Sequence, residues 1–409
     1  MRLIPILTLP LSCKMLTSKK EEDIMQNFDY YNPTHIVFGQ DRLNELNNLV
    51  PENAKVLVLF GGGSVKRFGT LDKIKTSLGN REVLEFGGIE ANPKFETLMQ
   101  AVELVRTEKV DFLLAVGGGS VMDGTKFVAL AAKQAAQHEQ ILFNGFEHVP
   151  AKEALPLGCI VTLPATGSEM NTFGVITYNQ QKYPFNSPLV YPKFSFLDPN
   201  LTLTLPKEQI ANGVADAFIH VIEQYLTQPQ NAKVQDRVSE GLLKTLIEDG
   251  PITYNDNTNI EARKNFMWSA TSALNGLIGV GVMHDWSTHM IGHEMTAMFG
   301  IAHGRTIAVI LPSLLRERKT HKRAKLLQFA ERVWGITSGT DDEKIDVAIN
   351  KSESFFNSLG IVTKLSHYDI GDKEIETLVA NMKKMGLTHL SETGDLTLDI
   401  VTKILTAAK

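Results

Sequence analysis

Cysteine is scarce in this chain: Cys13 and Cys159 are the only two among 409 residues. Two thiols cannot build the disulfide framework of a secreted domain, so a reducing cytoplasm is the expected setting. No apolar run approaches the ~20 residues needed to cross a bilayer as a helix, and no membrane partner is expected. Charge of one sign is not in excess either. With 41 basic and 46 acidic side chains the net charge is -5, which leaves no electrostatic footprint for nucleic acid. A G-x-S-x-G nucleophile elbow is missing, and neither glycine cluster fits G-x-G-x-x-G. Lys66 stands where the third glycine would fall after Gly61 and Gly63, and Met122 stands there after Gly117 and Gly119.

What is present suits two domains with full cores: 409 residues, 43% hydrophobic and 21% charged. Residues 1–24 are expected to be an extension outside the fold. Met1-Arg2 with the apolar run Leu3–Leu11 faintly resembles a signal peptide, and Leu11-Ser12-Cys13 a lipoprotein site. The run is short and broken by two prolines. A second reading is a mis-assigned start: in a bacterial source the purine-encodable Lys19-Lys20-Glu21-Glu22-Asp23 would sit just ahead of a start at Met25, and the sequence does not choose between Met1 and Met25.

From Pro33 to Leu205 short β-rich runs alternate with helical patterns, which predicts an α/β domain with a parallel sheet over residues 25–205. Lys55–Phe60 and Phe112–Val116 are continuous apolar runs, as in strands buried on both faces, and Cys159–Leu163 is a third candidate. Cys159, inside an apolar strand, reads as an inert buried thiol. After Pro206 the strand signal fades, so 206–409 is expected to be an all-helical domain. There Val214, Phe218, Val221, Ile222 and Tyr225 keep the 3.6-residue period, as do Leu326, Leu327, Ala330, Val333 and Trp334.

The first two strands each run into three glycines and a serine, Gly61-Gly62-Gly63-Ser64 and Gly117-Gly118-Gly119-Ser120, and then a helical pattern. Strand, glycine turn and helix aim backbone N–H groups at a phosphate. The second loop continues through Asp123 to Lys126, and Ser120 and Lys126 both suit a pyrophosphate. A third polar loop, Thr162–Glu169, follows the third strand and offers hydroxyls to the same cleft.

Four of the eleven histidines fall in two short windows. Asp216 and His220, four apart, share one helix face roughly 200° from Phe218. His289 and His293 form a second such pair on the helical pattern Trp286–Met298. His303 follows before Gly304, where a glycine would permit a tight turn. An i,i+4 polar pair is ordinary on a solvated helix, but together the clusters suit Fe2+ or Zn2+ and are poor for Ca2+ or Mg2+. Spacing does not say which of His289 and His293 is the ligand, nor which metal binds. A metal site and a dinucleotide site in one chain point to metal-assisted hydride transfer.

Gly117–Lys126, Thr162–Glu169, Asp216–His220 and His289–His303 together resemble the motif set of the iron-activated (group III) alcohol dehydrogenases. Gly61–Lys66 and Phe86–Pro93 resemble its butanol dehydrogenase branch, which includes NADPH-dependent aldehyde reductases. The resemblance runs from about Met25 to the C-terminus. It implies a dinucleotide-binding α/β domain, a helical domain of the dehydroquinate synthase-like kind, and a site in the cleft between them. Asp216, His220, His289 and His303 would be ligands of one divalent metal. His293 would lie near the nicotinamide, in a proton relay. Gly117, Gly118, Gly119, Ser120 and Asp123 would belong to the pyrophosphate loop, Thr162 and Thr166 would meet the adenosine or ribose, and Lys182 the nicotinamide ribose. The family suggests a homodimer and a small aldehyde or alcohol as substrate.

Cofactor choice is in tension. A Rossmann reading of Glu85, about 20 residues past the first glycine loop, would favour NAD. The family's discrimination resembles a first-loop effect, and here Gly61, Gly62, Ser64, Lys66 and Arg67 would welcome a 2′-phosphate. NADP(H) is therefore expected over NAD, with reduction of short-chain aldehydes. A relative handling phosphorylated or polar polyols would need cations beside the metal, and the window Asp285–Arg305 offers only Arg305. A non-enzymatic nucleotide or metal sensor would need no polarising metal opposite a hydride donor.

Overall fold

Alternate residues of the apolar strands feed two different cores. Leu57, Leu59, Leu113 and Ala115 join one hydrophobic cluster, while Val56, Val58, Phe60, Leu114 and Val116 join another. Side chains of a strand point to opposite faces in turn, so strands apolar at every position are strands covered on both sides. The computed structural model describes residues 24–145 and 147–409, and the readings made for residues 1–23, including Cys13, lie outside the described residues.

Six parallel strands carry this core: β1 (His35–Phe38), β2 (Val56–Phe60), β3 (Val83–Phe86), β4 (Phe112–Gly117), β5 (Leu157–Val161) and, after a hairpin, β8 (Phe194–Leu197). Their order is β1-β8-β5-β4-β2-β3, all neighbours parallel. The third strand begins and ends two residues earlier than expected, so Thr162 and Leu163 already belong to the polar loop. Cys159 is fully buried in it, and burial pushes its thiol up to about 12. The helices of this half are α1 (Leu46–Leu49), α2 (Ser64–Arg67), α3 (Thr70–Leu78), α4 (Phe95–Glu108) and α5 (Gly119–Ala131). The antiparallel hairpin of β6 (Phe173–Tyr178) and β7 (Gln181–Asn186) turns on Asn179 and Gln180, both at positive φ.

Beyond Pro206 come α6 (Lys207–Tyr225), α7 (Lys233–Asn255), α8 (Ile260–Ala273), α9 (Ser287–Phe299), α10 (His303–Glu317), α11 (Arg323–Arg332), α12 (Asp341–Ser358), α13 (Asp372–Lys384) and α14 (Leu398–Ala407). A two-residue-per-strand hairpin, β9 (His389–Leu390) with β10 (Leu396–Thr397), interrupts them. Helices here pack on one another around a single apolar cluster. None of the described helices is long and apolar enough to cross a membrane.

Polar ties join the two halves along the Thr162–Glu169 loop. The Thr271 hydroxyl donates to Glu169 Oε1 at 2.5 Å, and Asn171 Nδ2 donates to Leu274 O at 3.2 Å. Gly213 of α6 lies so near Pro164 O that a Cβ would come to 2.5 Å of it. The loop after β5 and the second turn of α6 therefore meet directly.

Candidate active site

Every residue of α6 from Val214 to Tyr225 is buried. On one side Phe218 packs on Phe355 and Phe356 of α12. On the other, the polar pair Asp216 and His220 meets the starts of α9 and α10 instead of solvent. Asp216 Oδ1 lies 3.6 Å from His220 Nε2, 3.6 Å from His289 Nε2 and 3.8 Å from His303 Nε2. These distances are too long for hydrogen bonds. They suit donors sharing an ion, since bonds of ~2.1 Å in a tetrahedron separate the donors by ~3.4 Å. Asp216, His289 and His303 each bring a donor within 4.8 Å of the others, while His220 stacks on His289 with ring centroids 4.7 Å apart. Asp216 Oδ1 and His289 Nε2 are buried without a hydrogen-bond partner, as suits atoms turned toward a cation. The donor set fits Fe2+ or Zn2+.

Burial holds the His220 imidazole down to about 4 and His303 well below its ordinary value, so both are neutral and can offer a lone pair. Burial pushes Asp216 up, but His220, His289 and Lys182 outweigh it and keep the carboxylate ionised. His289 differs: burial lowers it, and Glu223 with Asp216 overcomes that and raises it to about 9. A cation binding there would displace the Nε2 proton.

His293 is one turn further along α9. Its ring lies 4.7 Å from His303 and 6.0 Å from His289 by centroid, beside the donor set and not in it. Trp286 stands edge-on to His289 at 5.4 Å and so walls the cluster. Arg305 is drawn to Glu208 at 3.9 Å. The expected tight turn at Gly304 is not there: Gly304 is the second residue of α10, and its want of a side chain serves packing. A Cβ would come to 2.4 Å of Asn212 O on α6. Sequence reasoning missed Glu223, whose carboxylate accepts from His289 Nδ1 and from the N–H groups of Thr288 at 2.7 Å and His289 at 3.2 Å. The available signal was spacing, since Glu223 lies seven residues after Asp216 on the same helix face.

The glycine loops differ from one another. A Cβ at Gly117 would meet Val121 at 2.6 Å, and one at Gly119 would meet Thr166 at 2.6 Å, so these two are close-packed. Gly61 would meet Ile89 O at 3.2 Å, but Gly62 and Gly63 have nothing within 4 Å and leave room for a ligand. Gly118 caps α5 without a side-chain hydrogen bond, so the first N–H groups of that helix are free for an anion. The Ser120 hydroxyl accepts from Asn92 N at 3.2 Å. Thr162 is half-buried at the end of β5, and Thr166 Oγ1 accepts from Ser168 N. Both Asp123 oxygens are engaged, by Ser168 Oγ at 2.7 Å and Val175 N at 3.0 Å.

Two cations do not follow expectation. Lys126 is fully buried and donates to Ser168 Oγ, Asn171 Oδ1 and Phe173 O. It anchors the β6–β7 hairpin, and no N–H is left for a pyrophosphate. Lys66 pairs with Glu85 at 2.8 Å, and Lys75 reaches Glu85 as well. That double pairing neutralises the carboxylate that a Rossmann reading would give to the ribose. Lys182 on β7 is enclosed between Asp123 and Asp216, and burial lowers it to about 8. It links Asp123 of α5, after the second glycine loop, to Asp216 of the histidine cluster. A hollow of about 720 Å³ opens past the first loop, lined by Phe68, Thr70 and Lys73 and by Asp198, Asn200 and Leu201.

Comparison with known proteins agrees with this geometry. Residues 33–199 match the iron-containing alcohol dehydrogenase model, and 210–409 match the C-terminal model of the Fe-containing alcohol dehydrogenase family. The chain is 52% identical to the NADPH-dependent aldehyde reductase YqhD of Escherichia coli, covering 94% of this chain and 100% of that protein. The crystal structure of E. coli YqhD superposes with a TM-score of 0.92 at 51% identity, over 94% of this chain and 100% of that one. NADH-dependent butanol dehydrogenase A of Thermotoga maritima gives 0.89 at 32% identity, over 94% and 99%. With both family models matched in order along the chain, this protein belongs to the iron-containing alcohol dehydrogenase family.

Proposed function

We propose that this protein is an NADPH-dependent oxidoreductase that reduces short-chain aldehydes to primary alcohols. The observation that carries the reading is the convergence of Asp216, His220, His289 and His303, with Lys182 between Asp216 and Asp123 of the helix that follows the second glycine loop. When bound, a single Fe2+ or Zn2+ supplies Lewis acidity to the carbonyl oxygen and the dinucleotide supplies the hydride.

The chain's own groups do the positioning. Asp216 and the three imidazoles would hold the cation. The free N–H groups of Gly119 and Ser120 receive the pyrophosphate, and Gly117, Gly118 and Gly119 bring the backbone close enough. Gly61, Gly62 and Ser64 face the adenosine ribose, where Ser64 offers a hydroxyl donor to a 2′-phosphate. Thr162 and Thr166 border the adenosine side, Asp123 keeps α5 and the hairpin in register, and Lys182 reaches the nicotinamide ribose. His293, neutral through burial and next to His303, would pass a proton from water to the product oxygen, taking one up at one ring nitrogen as it gives one from the other.

Residues 25–205 form the dinucleotide half and 206–409 the cation half in this reading. A homodimer is supported by the apolar strip of Phe28, Tyr30, Tyr31 and Leu277, which solvent reaches and a second copy would cover; light scattering tests it. A cytoplasmic home accords with a buried free thiol and is tested by cell fractionation.

Turnover is the decisive assay. Purified protein given Zn2+ or Fe2+ oxidises NADPH when a short aliphatic aldehyde is added. No turnover with either metal and either nicotinamide cofactor overturns the proposal.

A further inference from the structure

We infer that Glu223 is the positioning residue of the cation site: it fixes which nitrogen of His289 faces the ion and pins the start of the helix that carries it. The inference rests on the reading of Asp216, His220, His289 and His303 as ligands. Glu223 is 4% exposed. One of its oxygens accepts from His289 Nδ1, and the other accepts from Thr288 N at 2.7 Å and His289 N at 3.2 Å. Its own carbonyl accepts from Asp285 N at 2.8 Å. Every one of these contacts goes to the first turn of α9 or to Asp285, two residues ahead of it.

Two consequences follow from the chemistry of the donors. A carboxylate only accepts, so the hydrogen of a neutral His289 must sit on Nδ1 and the lone pair on Nε2. That nitrogen is the one 3.6 Å from Asp216 Oδ1. Among the described residues the Nδ1 atoms of His220 and His303 meet no carboxylate, so of the three imidazoles His289 is the one whose tautomer a carboxylate selects. Second, the N-cap of α9, Trp286, makes no side-chain cap bond; Asp285 accepts from Ser287 N, and the next two N–H groups, of Thr288 and His289, are left to Glu223. Glu223 supplies the cap from another helix and places negative charge at the positive end of α9.

A glutamine at this position could not do both. With its oxygen toward the backbone N–H groups, its NH2 faces Nδ1 and calls for the other tautomer, which puts the proton on Nε2. With the amide reversed, NH2 meets two N–H donors. Outer groups of this kind typically change metal affinity 10–100-fold.

The test is Zn2+ affinity by chelator competition in wild type, Glu223→Gln and His289→Ala, with the thermal shift on adding Zn2+ measured in each. Glu223→Gln should weaken Zn2+ roughly 10–100-fold and shrink the Zn2+-induced shift more than it lowers the melting point of the metal-free protein. If His289→Ala loses Zn2+ but Glu223→Gln holds it with wild-type affinity, the inference about Glu223 fails and the ligand reading stands. If His289→Ala also keeps wild-type affinity, the ligand reading itself fails. Histidine-selective 15N spectra of the wild-type protein with Zn2+ give a check that needs no variant: His289 should carry its proton on Nδ1, and the opposite tautomer overturns the inference.

Discussion

Leaving a buried polar atom without a hydrogen bond costs about 1–3 kcal/mol, so Asp216 Oδ1 and His289 Nε2, both buried and unpartnered, are not idle packing. They mark where a ligand completes the fold. His289→Ala should therefore abolish aldehyde-dependent NADPH oxidation, with at least a 100-fold loss expected from removing one ligand. NADPH binding, measured by fluorescence in the absence of substrate, should stay close to wild type because the glycine loops are untouched. An active His289→Ala variant would show the ligand assignment to be wrong. At the other end of the cleft, Ser64→Asp sets a carboxylate against a 2′-phosphate where Gly62 and Gly63 leave open space. Losing a charge-assisted contact worth about 1.5–3 kcal/mol raises KM for NADPH roughly 10–100-fold and changes KM for NADH far less. Equal loss with both cofactors would contradict the first-loop account of cofactor choice.

The helices deliver these residues only because two of them nearly touch. Gly304, second in α10, lies against the backbone of Asn212 on α6, with a would-be Cβ at 2.4 Å from a carbonyl oxygen. Backbone cannot swing aside as a flexible side chain can. Gly304→Ala should cost about 1–3 kcal/mol by overpacking, seen as a lower denaturant midpoint at unchanged slope. Because His303 precedes it, the same change should also weaken Zn2+ binding. An unaltered midpoint with unaltered affinity would mean the two helices separate without consequence. Sequence made Asp216 and His220 legible as a pair, since i,i+4 spacing fixes a shared face whatever surrounds the helix. It could not tell that the face is dry, because burial of a polar stripe is decided by what packs on it, here α9 and α10. Glu223 shares that face by its seven-residue spacing from Asp216, but its role rests on α9 packing against it, which spacing alone does not reveal. The hairpin β6–β7 escaped notice because Gln181-Lys182-Tyr183-Pro184-Phe185-Asn186 carries a proline and little alternation. Lys126 misled because lysine one turn into a helix after a glycine loop suits a phosphate, and its three protein acceptors come from segments 42 to 47 residues away.

At the scale of the whole molecule, the active helix is braced from behind by charge. Lys322, just before α11, is 3% exposed and donates to Leu226 O, to Asp285 at 2.8 Å and to Glu392 in the β9–β10 turn at 3.1 Å. Asp285 in turn accepts from Ser287 N at the head of α9. The C-terminal hairpin, the α10–α11 junction and the helix bearing His289 thus share one buried cation. Burial pushes Asp285 up, but Lys322 and Ser287 outweigh it and hold it below its ordinary 3.8. Burial likewise lowers Lys322, and Asp285 with Glu392 overcomes that and lifts it above 10.5. A depressed carboxylate contributes stability above its unfolded pKa and loses it as pH falls through the folded one. A raised amine contributes below its unfolded pKa and loses it as pH rises through the folded one. The pair therefore contributes in full from about pH 4 to about pH 10. Lys322→Met strands two buried carboxylates and should cost roughly 3–5 kcal/mol at neutral pH. Once Asp285 loses its countercharge, protonation becomes its cheapest relief and its pKa rises above 3.8, so the deficit against wild type should narrow as the pH falls from neutral toward the depressed wild-type value. Denaturant titrations of both proteins across that range read the difference directly, and a deficit independent of pH would mean Lys322 acts through its methylene stem alone.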